Sequence, residues 1–309
     1  MMPCDFRCRY LSWMRARLPD LGGLAVGIDC SNGMAGLLVP SLFPSAHVLN
    51  ATPDGRFPCH SPNPLKAEAR EQIAALVRDR GLDCGVIFDG DADRAMFVDE
   101  TGAFVQPDYL IPVVAQETRA FVRPSAAHPV VLHDVRTSRG AIEALREEGF
   151  EPVMVPVGHA FAKPKMRALG ALCSGELAGH YYFGEFFGCD SGILAAMRVL
   201  GAVAAAKARG ETFSARMRPI VSRYANSGEL NFRVADKDAA IARVLAAARA
   251  FGAETGRSEM DGVRLEFADG WVNVRKSNTE PYLRLLVERR TAAGLANWVA
   301  ELEGAIRDA

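Results

Sequence analysis

Apolar and polar positions along the chain fall into three stretches with different rhythms. Leu24-Ala25-Val26-Gly27-Ile28-Asp29 is a short apolar run ending in an acid, and a turn containing Gly33 and Gly36 leads from it into a helix. Residues 53–64 are rich in Pro, Gly and Asn and read as loop. The spacing over 68–80 predicts an amphipathic helix with Ile73, Leu76 and Val77 on one side. Cys84–Phe88 and 95–98 are strand-like, and the turn Asp99-Glu100-Thr101-Gly102 closes a unit of about 80 residues.

A second stretch begins near Asp108. A helix is predicted over 109–122, where Pro112 falls in the first turn and is tolerated. Val130–Asp134 repeats the strand ending in an acid. A helix over 139–149 is closed by Gly, and strands over 151–157 and 171–173 follow before an Ala-rich helix over 191–208. The two stretches share a strand–loop–helix rhythm without a clear sequence repeat. The last stretch predicts a strand over 229–234, a helix over 237–252, a hairpin through Ala268-Asp269-Gly270, a strand over 283–288 and a closing helix over 293–308. A mobile segment around 210–218 is expected to join it. The expected fold is therefore α/β: two similar three-layer α/β domains with mixed sheets, at 21–105 and 106–209, then a small α+β C-terminal domain at 210–309. Residues 1–20 are expected to be a remnant or linker.

Apolar residues make up 49% and charged residues 24%, as in an ordinary soluble protein, and the formal net charge is -1. No overall basic field points to nucleic acid or a membrane surface. No apolar run approaches the roughly 18 residues of a membrane span. The seven cysteines are scattered without a C-x-x-C pair, which fits reduced thiols and a cytoplasmic location better than disulfides or zinc. Cys30 and Cys84 lie in apolar strand-like stretches and read as core residues.

Chemistry concentrates in loops. Asp89-Gly90-Asp91-Ala92-Asp93-Arg94 sets three carboxylates at alternating positions after a buried strand, where they repel one another unless a cation lies between them. An oxygen-only trio suits a hard divalent ion, Mg2+ before Ca2+. An EF-hand reading, with Glu100 as the last ligand, fails because Arg94 stands where that loop needs Gly. The segment from Arg275 to Arg284, RKSNTEPYLR, packs two arginines, a lysine, two hydroxyls and an amide between two strands, a donor density that suits phosphate. In Gly175-Glu176-Leu177-Ala178-Gly179-His180, a carboxylate and an imidazole beside glycines suit sugar hydroxyls, although alone this signal is weak. His159 is ambiguous in isolation.

Together these motifs resemble those of the phosphohexomutases, the bacterial phosphomannomutase/phosphoglucomutase group, from about Tyr10 to the C-terminus. Asp29-Cys30-Ser31-Asn32-Gly33, Pro53-Asp54-Gly55-Arg56-Phe57-Pro58 and Asp134-Val135-Arg136-Thr137-Ser138 add to the match. The resemblance implies domains around a central cleft, each supplying one loop. It implies Mg2+ on Asp89, Asp91 and Asp93, sugar contacts from Glu176 and His180, and phosphate contacts from Arg275, Ser277, Asn278, Thr279 and Arg284. It implies substrate contact by Arg136, proton handling by His159 and His180, and contact of Arg94 with the transferring phosphoryl group. The implied reaction interconverts hexose 1-phosphate and hexose 6-phosphate, of mannose or glucose, through a 1,6-bisphosphate.

Two departures stand out. Ala178 replaces the usual Ser of the sugar loop, a loss of about 1 kcal/mol on the ordinary hydrogen-bond scale. The family's first domain, with its nucleophilic phosphoserine in a T-A-S-H-N-P type loop, is absent from this chain. Ser61-Pro62-Asn63-Pro64 matches a separate second-domain motif and is not taken as that nucleophile. The chain is therefore expected to be inactive alone. The alternatives are a non-catalytic phosphosugar-binding module, a half-enzyme completed by a separate phosphoserine-domain chain, or a decayed fragment. Hexose phosphates are the expected partners, with neither nucleic acid nor membrane; the oligomeric state is open.

Overall fold

A computed structural model describes residues 6–277 and 281–307 of the chain. In place of a linker, the first segment carries helix α1 (Phe6–Arg15), because Leu11 and Met14 sit three apart and bury one stripe. Trp13 packs on Phe186, ring centroids 5.2 Å apart.

The first unit comprises β1 (Val26–Asp29), the short α2 (Val39–Leu42), β2 (His47–Leu49), α3 (Glu71–Arg80), β3 (Cys84–Phe88), β4 (Ala95–Asp99) and β5 (Phe104–Val105). Its sheet runs β2-β1-β3-β4-β5, with the first three strands parallel and the last two antiparallel. β3 and β4 are buried throughout, as expected of strands covered on both faces. Ile87, Met96 and Val98 face Ile73 and Val77 of α3, while Val86, Phe88 and Phe97 face the opposite layer.

The second unit contains α4 (Ile111–Val122), β6 (Val130–Asp134), α5 (Arg139–Glu147), β7 (Glu151–Val155), α6 (His159–Leu169), β8 (Cys173–Gly175), β9 (Tyr181–Phe183), β10 (Cys189–Asp190), α7 (Gly192–Ala208) and α8 (Phe213–Val221). Its sheet order is β7-β6-β8-β9-β10, again three parallel strands followed by two antiparallel ones. Strand for strand this repeats the first sheet, so the shared rhythm is a repeat of topology. α7 is apolar on nearly every side and correspondingly buried. It packs on β4 and α4, and α4 packs on β8, so one continuous core fills the space between the two sheets.

The expected mobile segment at 210–218 is instead largely α8. Thr212 caps it by accepting from the Ala215 amide, and Phe213, Met217 and Ile220 enter the shared core. The second unit therefore continues past the boundary expected after residue 209.

The third unit holds β11 (Ala225–Asn226), β12 (Leu230–Phe232), α9 (Lys237–Ala248), β13 (Gly256–Ser258), β14 (Val263–Phe267), β15 (Gly270–Lys276), β16 (Leu283–Arg289) and α10 (Ala292–Arg307). The sheet runs β11-β16-β15-β14-β13, and β12 also pairs with β16. Alternation along β15 sends Val272 and Val274 into a separate core under α9 and α10. Trp271, Asn273 and Arg275 take the opposite face. On that face Arg264 donates to the carbonyls of Val135 and Thr137, and Trp271 Nε1 donates to Glu288 at 2.7 Å. The first two units thus share one apolar core, whereas the third docks on the second through polar contacts around a small apolar cluster of Leu177, Trp271 and Leu286.

Candidate functional site

The acidic loop is the connection from β3 to β4. Asp89 is buried, Asp93 half-buried and Asp91 exposed, and their oxygens lie within 4.8 Å of one another. Burial, together with the charges of Asp89 and Asp91, pushes the Asp93 carboxyl up to about 7, against the pull of His180. The trio therefore resists full ionisation without a cation. Its hard oxygen donors fit Mg2+. Arg94 is tied down: its Nε donates to Asp89 Oδ2 at 2.6 Å and its Nη1 to Asn63 Oδ1 at 3.3 Å.

The Gly175–His180 segment is the corresponding connection, from β8 to β9, and it lies directly against the acidic loop. Arg94 and His180 form an antiparallel bridge, and the Ala95 amide donates to the Gly179 carbonyl at 3.2 Å. Gly179, at φ +87, permits this approach, since a Cβ there would meet Met96 Cε at 2.9 Å. His180 Nδ1 lies 3.0 Å from Asp190 Oδ2 and 3.6 Å from Asp93 Oδ2. Burial opposes protonation of His180, but Asp190, Asp93 and Glu176 outweigh it and raise the imidazole pKa. Asp190 also pairs with Lys163 at 3.1 Å; burial would raise its pKa, yet the two cations hold it at about 2.

Glu176 is buried and accepts from the Tyr182 hydroxyl at 2.8 Å. Burial raises its pKa, with Asp134 reinforcing the effect. Arg136 is also buried, donating twice to Asp134 from its guanidinium at 3.0 and 2.6 Å. The same guanidinium lies 3.8 Å from Glu176 and 3.4 Å from Glu229. Glu229 in turn pairs with Arg275 at 3.0 Å and Arg284 at 2.9 Å. Charged contacts thus run from the acidic loop to His180, and from Glu176 through Arg136 and Glu229 to the donor-rich segment of the third unit; the Glu176 amide, donating to the His180 carbonyl at 3.0 Å, joins the two runs through the backbone.

The two arginines of that segment face each other as register partners on β15 and β16. Ser277 is half-buried, and its amide donates to Tyr282 O at 2.9 Å. Asn278 and Thr279 lie outside the described residues. His159 is exposed at the start of α6, one helical turn before Lys163, so the two share a face. Sequence reasoning missed Asp134, Asp190, Lys163 and Glu229 as members of the site. The strand-ending acid was the one available signal, and it applied to Asp134.

The phosphoglucomutase/phosphomannomutase alpha/beta/alpha domain II matches residues 12–102, domain III residues 106–224, and the C-terminal domain residues 229–305. The phosphohexose mutases of Xanthomonas campestris pv. campestris (strain B100) are 38% identical over 279 residues, covering 88% of this chain and 60% of theirs. The phosphomannomutase/phosphoglucomutase of Pseudomonas aeruginosa strain PAO1 is 35% identical over 294 residues, with 93% and 61% covered. A solved phosphoglucomutase/phosphomannomutase family protein from Burkholderia thailandensis superposes with a TM-score of 0.83 at 28% identity, covering 97% of this chain and 64% of that one. The chain spans about 60% of the length of the curated relatives it matches.

Proposed function

Because the chain belongs to the phosphoglucomutase/phosphomannomutase family, we infer that it binds hexose monophosphates of mannose or glucose for Mg2+-dependent phosphoryl transfer between O1 and O6 through a 1,6-bisphosphate. The observation that carries this reading is the placing of the acidic loop against His180, and of Glu176, bonded to His180 through its backbone, in charged contacts that reach the Arg275–Arg284 pair. It spaces a metal-binding end from a phosphate-binding end, with Glu176 and His180 between them for sugar hydroxyls.

When bound, Mg2+ on Asp89, Asp91 and Asp93 neutralises charge on the transferring phosphoryl group. Arg94, fixed by Asp89 and Asn63, presents a guanidinium edge beside that group. His180, oriented by Asp190 and favoured as the imidazolium, gives a proton to the departing sugar oxygen, and the neutral ring so formed takes one from the attacking hydroxyl in the opposite direction. His159, exposed on the face shared with Lys163, assists proton movement. Arg275, Ser277, Asn278, Thr279 and Arg284 grip the phosphate that is not reacting, and Arg136 and Glu176 support the sugar between. The serine that carries the phosphoryl group is supplied from outside residues 1–309, by a further segment or by a separate chain, in the cytoplasm.

A coupled assay on residues 1–309 with mannose or glucose 1-phosphate, the bisphosphate and Mg2+ should give negligible turnover. Calorimetry should meanwhile detect glucose 6-phosphate binding. Robust turnover would overturn the external serine, and absence of binding at millimolar ligand would overturn the site itself. The intact binding line also favours a second reading, a phosphosugar-binding module, for which binding without turnover persists even when a phosphoserine-bearing chain is added.

A further inference from the structure

Glu229 lies at the passage from the second unit to the third, just after Gly228 at φ +65. Its Oε1 holds Arg284 Nη1 at 2.9 Å, and its Oε2 holds Arg275 Nη2 at 3.0 Å and faces Arg136 Nη1 at 3.4 Å. Arg275 and Arg284 are directly opposed in the β15–β16 ladder, where like charges repel unless an anion lies between them. One anion whose oxygens are shared by facing guanidinium forks is also the arrangement in which arginines hold a phosphate. Arg275 is buried, and its Nε has no hydrogen-bond partner among the described residues, so it keeps donor capacity that Glu229 does not use.

Burial favours the neutral acid at Glu229, but Arg136, Arg275 and Arg284 outweigh it and lower the pKa, so the competing group is a true anion. If Arg275 and Arg284 turned to another anion, Glu229 would retain Arg136 and would not be stranded as an unpaired buried charge.

We propose that Glu229 is a built-in stand-in for the substrate phosphate and sets the anion specificity of this loop. An incoming anion gains Arg275 and Arg284 only by outcompeting the carboxylate already on them. Doubly charged phosphate does so; singly charged anions do not. The proposal rests on the reading of 275–284 as the phosphate-binding segment.

The test is calorimetric titration of inorganic phosphate and of acetate at pH 8 into the wild type, Glu229→Gln and Arg275→Gln. Loss of one repelling charge should tighten phosphate binding by Glu229→Gln about tenfold and open the site to acetate. A merely structural role for Glu229 would weaken binding, so unchanged or weaker phosphate affinity in a folded Glu229→Gln overturns the proposal. Should that variant not fold, the carboxyl 13C resonance of Glu229 in the wild type decides: it should move as phosphate saturates, and a stationary resonance overturns the idea. Arg275→Gln separates the premises. If it binds phosphate as the wild type does, the loop assignment fails; if it loses binding while Glu229→Gln is unaltered, only the role of Glu229 fails.

Discussion

Asp190 illustrates how single side chains set the chemistry of this site. It accepts from His180 and from Lys163 at once, so it stays ionised and favours the imidazolium. A histidine raised this way lends stability that is fully present below its unfolded pKa and is lost as pH rises through its folded one. Asp190→Asn should therefore lower the His180 titration midpoint, read by NMR, toward the ordinary imidazole value. Asp108 works with the opposite charge type. Burial, reinforced by Glu288 and Asp134, lifts its carboxyl to about 7 against hydrogen bonds from the Ser138 amide and Gln106. Its contribution to stability is present below the unfolded carboxylate range and is lost as pH rises toward about 7. Denaturant titrations from pH 4.5 to 8 (about the span over which such a group changes charge) should show a flatter stability profile for Asp108→Asn than for the wild type. An unchanged slope would remove Asp108 from the account. Asp89, Asp91 and Asp93 were legible because a motif of alternating acids is local. Asp190, Lys163 and Glu229 were not, because each is a lone residue whose partners lie far along the chain.

At the level of elements, the strands and most helices could be read from apolar runs and helical spacing, and Cys30 and Cys84 are fully buried core residues as expected. α6 and α8 escaped because Pro164 and Pro219 lie inside them and break the helical signal. Since Phe213 of α8 is 2% exposed in the core, Phe213→Ala should destabilise the protein by about 3–5 kcal/mol in denaturant titrations, whereas a mobile linker would lose nothing. The first turn of α7 touches the acidic loop equally closely. The Gly192 amide donates to Ala92 O at 3.1 Å, and a Cβ at Gly192 would come within 2.8 Å of that same carbonyl. Neither backbone can yield cheaply. Gly192→Ala should therefore weaken Mg2+ binding by calorimetry through displacement of the loop, with the sheets intact by circular dichroism.

Across the whole molecule, α1 anchors the first residues to the second unit. Arg17 donates to Glu185 Oε2 at 2.8 Å, and Arg198 donates to Glu185 Oε1 at 2.5 Å. Arg198 is only 4% exposed, so Glu185→Gln would strip a buried guanidinium of its paired carboxylate, leaving Glu117 as the other acid that acts on it, and should cost about 3 kcal/mol by denaturant titration. A change under about 1 kcal/mol would mean that water reaches the pair. The number of units was apparent in the sequence, but their identical strand order was not, because topology survives when no residue pattern does. That identity places the two chemically active connections at equivalent positions, each bounded by buried strands whose register does not depend on loop residues. In engineering terms the connections are exchangeable cassettes. New side chains could be grafted into either one without rebuilding a sheet, provided Gly179 and Gly192 remain where the two halves touch.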